Sequence, residues 1–467
     1  MKLTLGKFFL LATLSAHLQT ATALVDIRNA SFSDSSIDFQ YPHHDPLFGI
    51  QRTYSSRSLF NGLFGFGWCS NLETTLTRKS KDSLALRECG GGIERKFHLT
   101  EVTKEGWFIY SLRGQTGEAI SYVNGIYTKL VDGKPTQKFT NKGVLIEITP
   151  LNGSAIRLVY AKSGQLSSLI DAHGHKLQFT HSPQIRKVIK IVGPEQVSMS
   201  YTYSGENLIS VKNAWGNTYG YQYDDLHNLT HINFPDKTQK VMTYNQDKDW
   251  VTSFKSRSNC FEKYEYLPQK DDPTMHYIST STKSCKGSTP VTAKFEFWYK
   301  KQADDTSYLS QVQFSQGGQL QTIVYDAQTG LPSQIKSGAK NEIRSENFIY
   351  DYQGRLRSKQ TQQKIVEYTY GSSDNSEKNS IKQVTEIFLD KNRKPIKTSK
   401  SYLGYDASFR LSKVNWDNGN SLHIEYGANN RIVKLTDQNG RRVALHYDSQ
   451  GRLPSSVAIV GLGHAEL

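Results

Sequence analysis

The hydrophobic and polar positions of this chain alternate with a period of two, in short runs that are separated by turn residues. The run SLHIEY places Leu422, Ile424 and Tyr426 on one face, with polar residues between them. The turn GANNR, the returning run IVKLTD and a further run, RVALHYD, follow. Two strands and two turns in about 20 residues are typical of a β-hairpin meander. No helical periodicity interrupts these runs, so we predict an all-β, repetitive antiparallel fold.

One phrase recurs along the chain. It reads YQYDDLHNL at Tyr221–Leu229, FIYDYQGRL at Phe348–Leu356 and LHYDSQGRL at Leu445–Leu453, with degenerate copies between them. Equivalent tyrosines recur every 20 or 21 residues in the clearest copies. A recurring phrase indicates one structural unit that is built many times, which disfavours an enzyme with a single pocket.

Each Tyr-Asp pair in the phrase has a predicted structural role. We expect the tyrosine to face the packed side of the sheet and the aspartate to hydrogen-bond the backbone of its own turn. Gly or Asn at the corner tolerates a positive φ. The aspartates are therefore interpreted as turn formers rather than as catalytic acids. The repeat residues to which these roles are assigned are Tyr223, Asp224, Tyr350, Asp351, Gly354, Tyr447, Asp448 and Gly451.

The stretch before the repeats has a different composition. Residues Gly49–Glu73 mix glycines with aromatic residues, in GIQRTYSSRSLFNGLFGFGWCSNLE. Glycine lets backbones approach closely and aromatic side chains supply area to bury, so we predict a packed plug or the start of a sheet. The stretch lacks the GxxxxGK[ST] pattern of a phosphate-binding loop. Farther on, Asn259–Pro290 breaks the repeat rhythm and is predicted to be an insertion loop.

The phrase and the stretch before it together resemble the Rhs/YD-repeat family, over about residues 40–460. The last two full copies fit the YD-x-x-G-R-L repeat of that family. The resemblance implies a β-meander that curls into a spiral shell; in many polymorphic-toxin members the shell encloses a C-terminal toxin, and other members act in cell-surface contact. The residues that match the R-x-Y-x-S-R and G-x-G-W patterns of the family's leader domain are Arg52, Tyr54, Arg57, Gly65, Gly67 and Trp68.

The chain departs from the toxin members after its last full phrase. It lacks their P-x-x-x-x-D-P-x-G-like segment and runs on as PSSVAIVGLGHAEL. We therefore expect a shell fragment that ends in mid-repeat, either a truncated or split gene product or a short scaffold member. Such an end leaves an unpaired strand edge near Leu453–Leu467. The predicted division is a signal peptide at 1–23, a leader domain at 24–150 and YD repeats at 151–467.

The N-terminus has the pattern of a secretory signal. Lys2 and Lys7 precede a short apolar core, and Ala21-Thr22-Ala23 is an A-x-A cleavage site. The apolar run is too short for a membrane-spanning helix, and no later segment qualifies as one. We therefore expect export to the periplasm, the cell surface or the medium.

Four cysteines form two local pairs in the sequence, Cys69 with Cys89 and Cys260 with Cys285. Export favours disulfides, and short loops close more easily than long ones, so we favour these two pairings. Two other pairings and four buried free thiols are the alternatives. Neither pair has CxxC spacing, which disfavours zinc.

The charge and the candidate ligands point to no specific chemistry. The net charge is +14, of which the signal supplies two, but the basic residues are scattered, so a solvated surface is favoured over lipopolysaccharide, anionic-lipid or nucleic-acid binding. His43-His44-Asp45 lies between prolines and reads as a surface turn, and His173 and His175 fall in a repeat turn, followed by His181. Neither GxSxG nor HExxH occurs. We expect no metal, no cofactor and no catalytic residue.

Two functions remain. The first is an exported structural Rhs/YD β-shell that acts as a scaffold or carrier for a toxin or a downstream Rhs chain. The second is an extracytoplasmic module that binds a glycan or an envelope polymer, because aromatic rings repeated on a sheet can stack on sugars. Buried unit tyrosines favour the first function, and a bare row of them favours the second. An enzyme is not expected.

Overall fold

The structure, a computed structural model, describes residues 24–40, 48–89, 94–112, 117–150, 154–302, 306–339, 342–351, 353–371, 380–427, 430–447, 454–459 and 463–466. Within these residues the regular elements are β-strands and two single-turn 3-10 helices, Asn71–Glu73 and Pro194–Gln196. The predicted all-β antiparallel meander is therefore confirmed. None of the described helices is long and apolar enough to cross a membrane. The predicted signal peptide lies outside the described residues.

Residues 24–40 and 48–73 form a small N-terminal layer, which we call the plug. Four of its strands make an antiparallel sheet in the order β1-β2-β3-β6, and β4 pairs with β5 in a tight hairpin. The strands of the plug are β1 (Leu24–Asp26), β2 (Ser31–Gln40), β3 (Gly49–Ser55), β4 (Asn61–Gly62), β5 (Gly65–Phe66) and β6 (Trp68–Ser70).

The rest of the chain is a meander in which consecutive strands pair antiparallel, and the chain divides into two compact units. Unit 1 comprises residues up to Ser307 together with Phe314–Gly317, and unit 2 comprises Tyr308–Gln313 and residues from Gly318 on. Strand β28 (Ser307–Gln316) contributes residues to both.

The meander strands of unit 1 are β7 (Thr75–Ser80), β8 (Ser83–Arg87), β9 (Glu94–Val102), β10 (Phe108–Leu112), β11 (Glu118–Val123), β12 (Ile126–Val131), β13 (Lys134–Thr140), β14 (Leu145–Ile148), β15 (Ile156–Tyr160), β16 (Leu166–Ile170), β17 (Lys176–His181), β18 (Val188–Val192), β19 (Ser198–Ser204), β20 (Asn207–Lys212), β21 (Thr218–Tyr223), β22 (Leu229–Asn233), β23 (Gln239–Asn245), β24 (Trp250–Lys255), β25 (Phe261–Pro268), β26 (His276–Ser284) and β27 (Val291–Lys301). Those of unit 2 are β29 (Gln319–Tyr325), β30 (Pro332–Ala339), β31 (Glu342–Tyr350), β32 (Leu356–Gln360), β33 (Lys364–Tyr370), β34 (Ile381–Leu389), β35 (Pro395–Tyr405), β36 (Leu411–Trp416), β37 (Ser421–Tyr426), β38 (Ile432–Asp437), β39 (Arg442–Tyr447), β40 (Pro454–Ile459) and β41 (Gly463–Glu466).

Two details of the meander bear on the sequence predictions. The insertion loop predicted at Asn259–Pro290 is wrong, because β25 and β26 pair along eight residues without a bulge and belong to the sheet. Lys263 and Glu265 of β25 are exposed, whereas Ser279 of β26 is buried. Pairing of β14 with β15 continues across residue 150, and the division predicted there stays a prediction. The predicted free edge also stays a prediction, since Leu453 and Leu467 lie outside the described residues.

A β-bulge recurs where each long hairpin of the repeats reaches its turn. The register shifts by one residue next to the unit tyrosine, for example at Tyr203, Tyr223, Tyr350 and Tyr426. A bulge leaves backbone groups without a ladder partner, so each repeat offers hydrogen-bonding groups at the same position.

The core of unit 1 lies between the plug and one face of the meander. Phe32 and Phe64 of the plug are fully shielded, and they meet buried sheet residues such as Phe254 and Tyr201. Burying an aromatic side chain of this size stabilises the fold by roughly 1.5–3 kcal/mol. The glycine-aromatic stretch of the sequence therefore supplies the second layer that a single sheet needs.

Candidate functional site

A buried arginine anchors the plug. Arg52 in β3 is fully shielded, and its Nε and Nη2 donate to Oδ2 and Oδ1 of Asp38 in β2 at 2.5 and 2.9 Å. Its guanidinium lies 4.5 Å from the centre of the Trp68 ring. A buried ion pair is maintained only when its geometry is good and further bonds satisfy the charges.

The meander supplies those further bonds. The hydroxyl of Tyr201 donates to Asp38 Oδ2 at 3.0 Å, and Arg52 Nη2 donates to the hydroxyl of Tyr221 at 3.3 Å. Burial raises the pKa of both phenols, so they remain protonated. Two repeats of the sheet thus add bonds to the ion pair of the plug, while the buried Nη1 of Arg52 has no hydrogen-bond partner among the described residues.

The other aromatic residues of the leader pattern bind the first full copy of the repeat phrase. Tyr54 donates its hydroxyl to the carbonyl of His227 at 3.2 Å and accepts the amide of Leu229 at 2.9 Å. Trp68 Nε1 donates to the hydroxyl of Tyr223 at 2.8 Å. The two sequence motifs therefore form one interface.

The glycines of the leader pattern allow this close approach. Gly65 and Gly67 have φ of +98° and +74°. A Cβ at Gly65 would meet the Glu206 carbonyl oxygen at 2.6 Å, and one at Gly67 would meet the Tyr54 ring at the same distance. Arg57 lies apart from this interface; it is exposed, and its Nη1 donates to the Lys248 carbonyl at 3.2 Å.

The plug also binds the bulges of the repeats directly. The amide of Val188 donates to the Leu63 carbonyl at 2.9 Å, and the amide of Val251 donates to the Ala30 carbonyl at 3.0 Å. Val188 and Val251 occupy the same bulge position as Leu229, whose amide donates to the Tyr54 hydroxyl. The plug thus recognises a feature that the repeat produces in each copy.

The unit tyrosines join each repeat to the one before it. In most copies the tyrosine hydroxyl donates at 2.7–2.9 Å to a backbone carbonyl fifteen residues earlier in the chain. The residue that carries this carbonyl is the strand partner of the residue at the unit-tyrosine position of the preceding repeat. The pairs with this separation include Tyr203–Val188, Tyr223–Leu208, Tyr244–Leu229, Tyr426–Leu411 and Tyr447–Ile432. Tyr350–Pro332, Tyr370–Leu356 and Tyr405–Ile381 make the same bond across other separations.

His181 takes the place of tyrosine in its repeat. Its Nε2 lies 2.7 Å from the Leu166 carbonyl, also fifteen residues earlier. The sequence interpretation missed this role because a histidine does not match the phrase. Its spacing of 21 residues from Tyr160, whose hydroxyl also donates to a carbonyl fifteen residues earlier, was the signal that could have identified it.

The aspartates after the tyrosines hold the turns. Asp224 Oδ1 accepts the amides of Leu226 and Asn228 at 3.0 and 2.8 Å. Asp351 does the same with Gln353 and Arg355, each at 2.9 Å. Each carboxylate thus provides an acceptor for two backbone amides of its own turn, and so stabilises the turn.

In the full Asp-x-x-Gly-Arg copies the arginine adds a further link. Arg355 Nε donates to Asp351 Oδ2 at 2.7 Å, and its guanidinium lies 4.5 Å from the centre of the Tyr370 ring of the next repeat. Gly354 has φ of +77° at the corner. Arg410 makes the equivalent contacts in a copy that has Phe409, with φ of +59°, in place of the glycine. Asp448 and Gly451 lie outside the described residues.

Both predicted disulfides are confirmed. Cys69 in β6 bonds Cys89, which follows β8, and so ties the plug to the meander, with a Cα–Cα distance of 5.7 Å. Cys260 bonds Cys285 across the base of the β25–β26 hairpin, with a Cα–Cα distance of 4.3 Å.

Of the two histidine clusters considered in the sequence, the structure describes the one at His173 and His175. His175 Nδ1 lies 2.8 Å from Asp171 Oδ2 inside a repeat turn, and the His173 amide donates to the same carboxylate. In the part of the chain that the structure describes, no group of three or more His, Cys, Asp or Glu has ligand geometry. His43, His44 and Asp45 lie outside it.

A different histidine cluster escaped the sequence interpretation. His276 Nδ1 lies 2.8 Å from Asp271 Oδ2, and its Nε2 lies 2.9 Å from Glu296 Oε1. The ring stacks on Trp298 with centroids 5.0 Å apart. Burial lowers the pKa of His276, but the two carboxylates outweigh it and raise the pKa overall. Glu296 comes from the neighbouring strand, so no local motif indicates the cluster.

A cleft of about 580 Å³ opens between the plug and the meander in unit 1. Its polar lining includes Glu73 and Lys187. Burial raises the pKa of Glu73 to about 7, although hydrogen bonds from Leu63 and Ser70 oppose the shift. Burial also lowers the pKa of Lys187. The sequence interpretation named neither residue.

The unit tyrosines are half-buried in both units, but their surroundings differ. In unit 1 Tyr203, Tyr223 and Tyr244 pack against the core that includes Tyr221, which is 3% exposed under the plug. In unit 2 Tyr350, Tyr426 and Tyr447 are half-buried, and their hydroxyls are hydrogen-bonded to the preceding repeat. The repeats therefore present no bare row of free tyrosine hydroxyls among these residues.

Comparison with known proteins adds the following. A family model described as a domain of unknown function (DUF6531) matches residues 25–94. No curated protein matches the chain in sequence. Among solved structures, the TcdB2-TccC3 protein without its hypervariable C-terminal region is similar over 93% of this chain, with 11% identity and a TM-score of 0.43. The Tc holotoxin pore of Photorhabdus luminescens is similar over 93%, with 11% identity and a TM-score of 0.40. This chain spans 27% and 26% of those chains, about a quarter of their length.

Proposed function

We propose that this chain is an exported structural protein of the Rhs/YD type, whose repeat meander forms part of a shell wall and whose plug covers the inner side of the first repeats. In this role it serves as a scaffold or carrier for a toxin or another partner chain. We propose no catalytic activity for it.

The observation that carries the proposal is that the residues of both sequence motifs, the leader pattern and the repeat phrase, bind other parts of the fold. In the leader pattern, Arg52 donates to the Tyr221 hydroxyl and Trp68 donates to the Tyr223 hydroxyl. Tyr54 is hydrogen-bonded to the backbone of His227 and Leu229, in the turn that follows Tyr223. The unit tyrosines and turn aspartates bind the backbone of their own and neighbouring repeats. Residues that are committed to assembly in this way leave little chemistry for turnover, and the two disulfides support export.

The proposal is tested by coexpression of the chain with the product of the next gene downstream, followed by limited proteolysis of the purified material. A carrier retains the partner through purification and protects it, so the partner is cleaved more slowly than when it is alone. Arg52→Met, which loosens the plug, should reduce this protection, whereas Arg57→Met should not. A partner that does not copurify, or that is cleaved at its free rate, contradicts the carrier role.

Binding of a glycan or an envelope polymer is the second candidate. It is supported by the half-buried aromatic side chains of unit 2, such as Tyr368 and Trp416, because stacking on a sugar needs a ring face and no free hydroxyl. Retention of the chain on isolated envelope polysaccharide, abolished by Trp416→Ala, would favour this function over the carrier role.

A further inference from the structure

Three polar side chains from distant segments meet in the cleft between the plug and the meander. Lys187, just before β18, is 8% exposed. Its Nζ donates to the Gly62 carbonyl at 2.9 Å, to the Asn61 carbonyl at 3.2 Å and to the side-chain carboxamide of Asn61. The bond from the Val188 amide to the Leu63 carbonyl holds the two segments in register. The lysine nitrogen is therefore fixed against the Asn61 side chain.

Glu73 lies beneath the same hairpin. Its Oε1 accepts the Leu63 amide at 2.5 Å and lies directly against the α-carbon of Gly62. Its Oε2 accepts the amide and the hydroxyl of Ser70 at 2.8 and 3.1 Å. A carboxyl group is thus held within one residue of Asn61 along the hairpin.

Burial shifts the pKa of both ionisable groups in the cleft toward the neutral form of each group. Among the described residues no carboxylate lies within ion-pair distance of the Lys187 amine; Glu206 and Glu73 favour its charged form from farther away, but the cost of burial outweighs them. Burial moves the pKa of Lys187 down and that of Glu73 up to about 7. A desolvated lysine that is deprotonated is a nucleophile, and a carboxylic acid of this kind can relay a proton.

We propose that Lys187 and Asn61 form an intramolecular isopeptide bond, with Glu73 as the acid–base group. The Lys187 amine attacks Cγ of Asn61, and a new C–N bond forms. Glu73 delivers its proton to the leaving amide nitrogen, and the carboxylate that results takes a proton from the attacking nitrogen. The C–N bond of the carboxamide then breaks and one ammonia molecule is released. No oxidant or cofactor is required.

The position of the bond explains what it does. Fixed proximity replaces a bimolecular encounter, which is the main barrier to amide exchange between side chains. Asn61 is the exposed member of the three, so ammonia has a path to solvent. The product joins the β4–β5 hairpin to β18, and so attaches the plug to the meander at a second covalent point besides Cys69–Cys89. Unlike the disulfide, this link survives reduction.

The test is peptide mapping of the purified full chain after complete reduction and trypsin digestion. The expected species is Ser58–Arg78 joined to Lys187–Lys190, lighter than the two peptides together by one ammonia molecule. Trypsin cannot cleave after a Lys187 whose amine is acylated, so the short peptide retains it. If Ser58–Arg78 is recovered only as the free peptide, and cleavage after an unmodified Lys187 yields Val188–Lys190, the proposal is overturned.

Variants separate this reaction from others. Lys187→Arg and Asn61→Ala should abolish the joined species, and Glu73→Gln should abolish or strongly slow its formation. Lys190→Arg, an exposed neighbour two residues into β18, should leave it intact. Because Asn61 precedes glycine, it can also lose ammonia by closing on its own backbone. Ammonia loss that persists in Lys187→Arg, without a joined peptide in the wild type, therefore contradicts the lysine reaction.

The fold of each variant is checked by its Cys69–Cys89 disulfide and its circular dichroism spectrum. A folded Glu73→Gln variant that joins the peptides at the wild-type rate overturns the role of Glu73. A folded Lys187→Arg variant that still yields the joined species overturns the assignment of the nucleophile.

Discussion

A single buried guanidinium connects the plug to the repeats, and its surroundings make it sensitive to substitution. Arg52 is hydrogen-bonded to Asp38 and Tyr221, lies over the face of Trp68 and is fully buried. Removing one partner of a buried ion pair leaves the other partner charged and uncompensated, which lowers the free energy of unfolding. The stability of the plug therefore depends on the pair as a whole.

We expect Arg52→Met to destabilise unit 1 by roughly 3–5 kcal/mol, because it leaves the Asp38 carboxylate buried with Tyr201 as its remaining side-chain donor. Arg52→Met combined with Asp38→Leu should recover part of this loss, which a double-mutant cycle on thermal unfolding measures. The control is Arg57→Met, an exposed arginine of the same motif, for which a change within about 0.5 kcal/mol is expected. Equal losses of stability in Arg52→Met and Arg57→Met would contradict the role of the buried ion pair.

The protonation of one histidine gives a second prediction at the residue scale. Both ring nitrogens of His276 face carboxylates, so only the imidazolium can donate to both. The folded pKa of His276 lies above its ordinary value near 6.5. Its contribution to stability is therefore fully present below about pH 6.5 and is lost as the pH rises through the raised folded pKa.

Thermal unfolding across this pH window tests the sign. The wild type should lose stability as the pH rises above about 6.5, and His276→Gln should remove this part of the dependence. His423→Gln, an exposed histidine in β37, should keep it. A His276→Gln profile that parallels the wild type would show that the two carboxylates do not select the imidazolium.

At the scale of the element, the repeat is a hairpin that depends on its neighbour. The bulge exposes a carbonyl that the hairpin cannot satisfy, and the tyrosine of the next hairpin donates to it. The arginine of the phrase stacks on the ring of the same tyrosine. Repeats joined in this way are stabilised by nearest-neighbour terms, as in other repeat proteins.

We expect Tyr426→Phe to destabilise unit 2 by about 0.5–1.5 kcal/mol, because the Leu411 carbonyl loses its side-chain donor while the ring packing remains. Hydrogen exchange should increase in β36 and β37 more than in β31 and β32. Tyr402→Phe, at an exposed position of β35, is the control and should have no effect on exchange. An even increase across the unit would contradict nearest-neighbour coupling.

At the scale of the whole molecule, the sequence predicted what is periodic and local. The strands, the turn-forming aspartates and the disulfide pairs follow from spacing, since each involves residues close in the chain. Asp38 as the partner of Arg52 did not follow, because nothing in SIDFQ distinguishes this acid from other strand residues and its contacts with Tyr201 span 163 positions. The β25–β26 hairpin was mistaken for a loop because its strands, of 8 and 9 residues, pair without a bulge and so break the rhythm of the repeat.

The separation into two units leads to the last prediction, because both disulfides lie in unit 1. Their loops have similar sequence separations, 20 and 25 residues, so the loss of either should cost about 3 kcal/mol in the chain-entropy description. Replacement of all four cysteines by alanine should therefore reduce amide protection in β8–β27 and leave β29–β39 unchanged, as measured by hydrogen exchange. Restoring Cys260 and Cys285 alone should recover about half of the loss in unfolding free energy, if the two loops contribute equally. A matching loss of protection in β29–β39 would show instead that the two units open together.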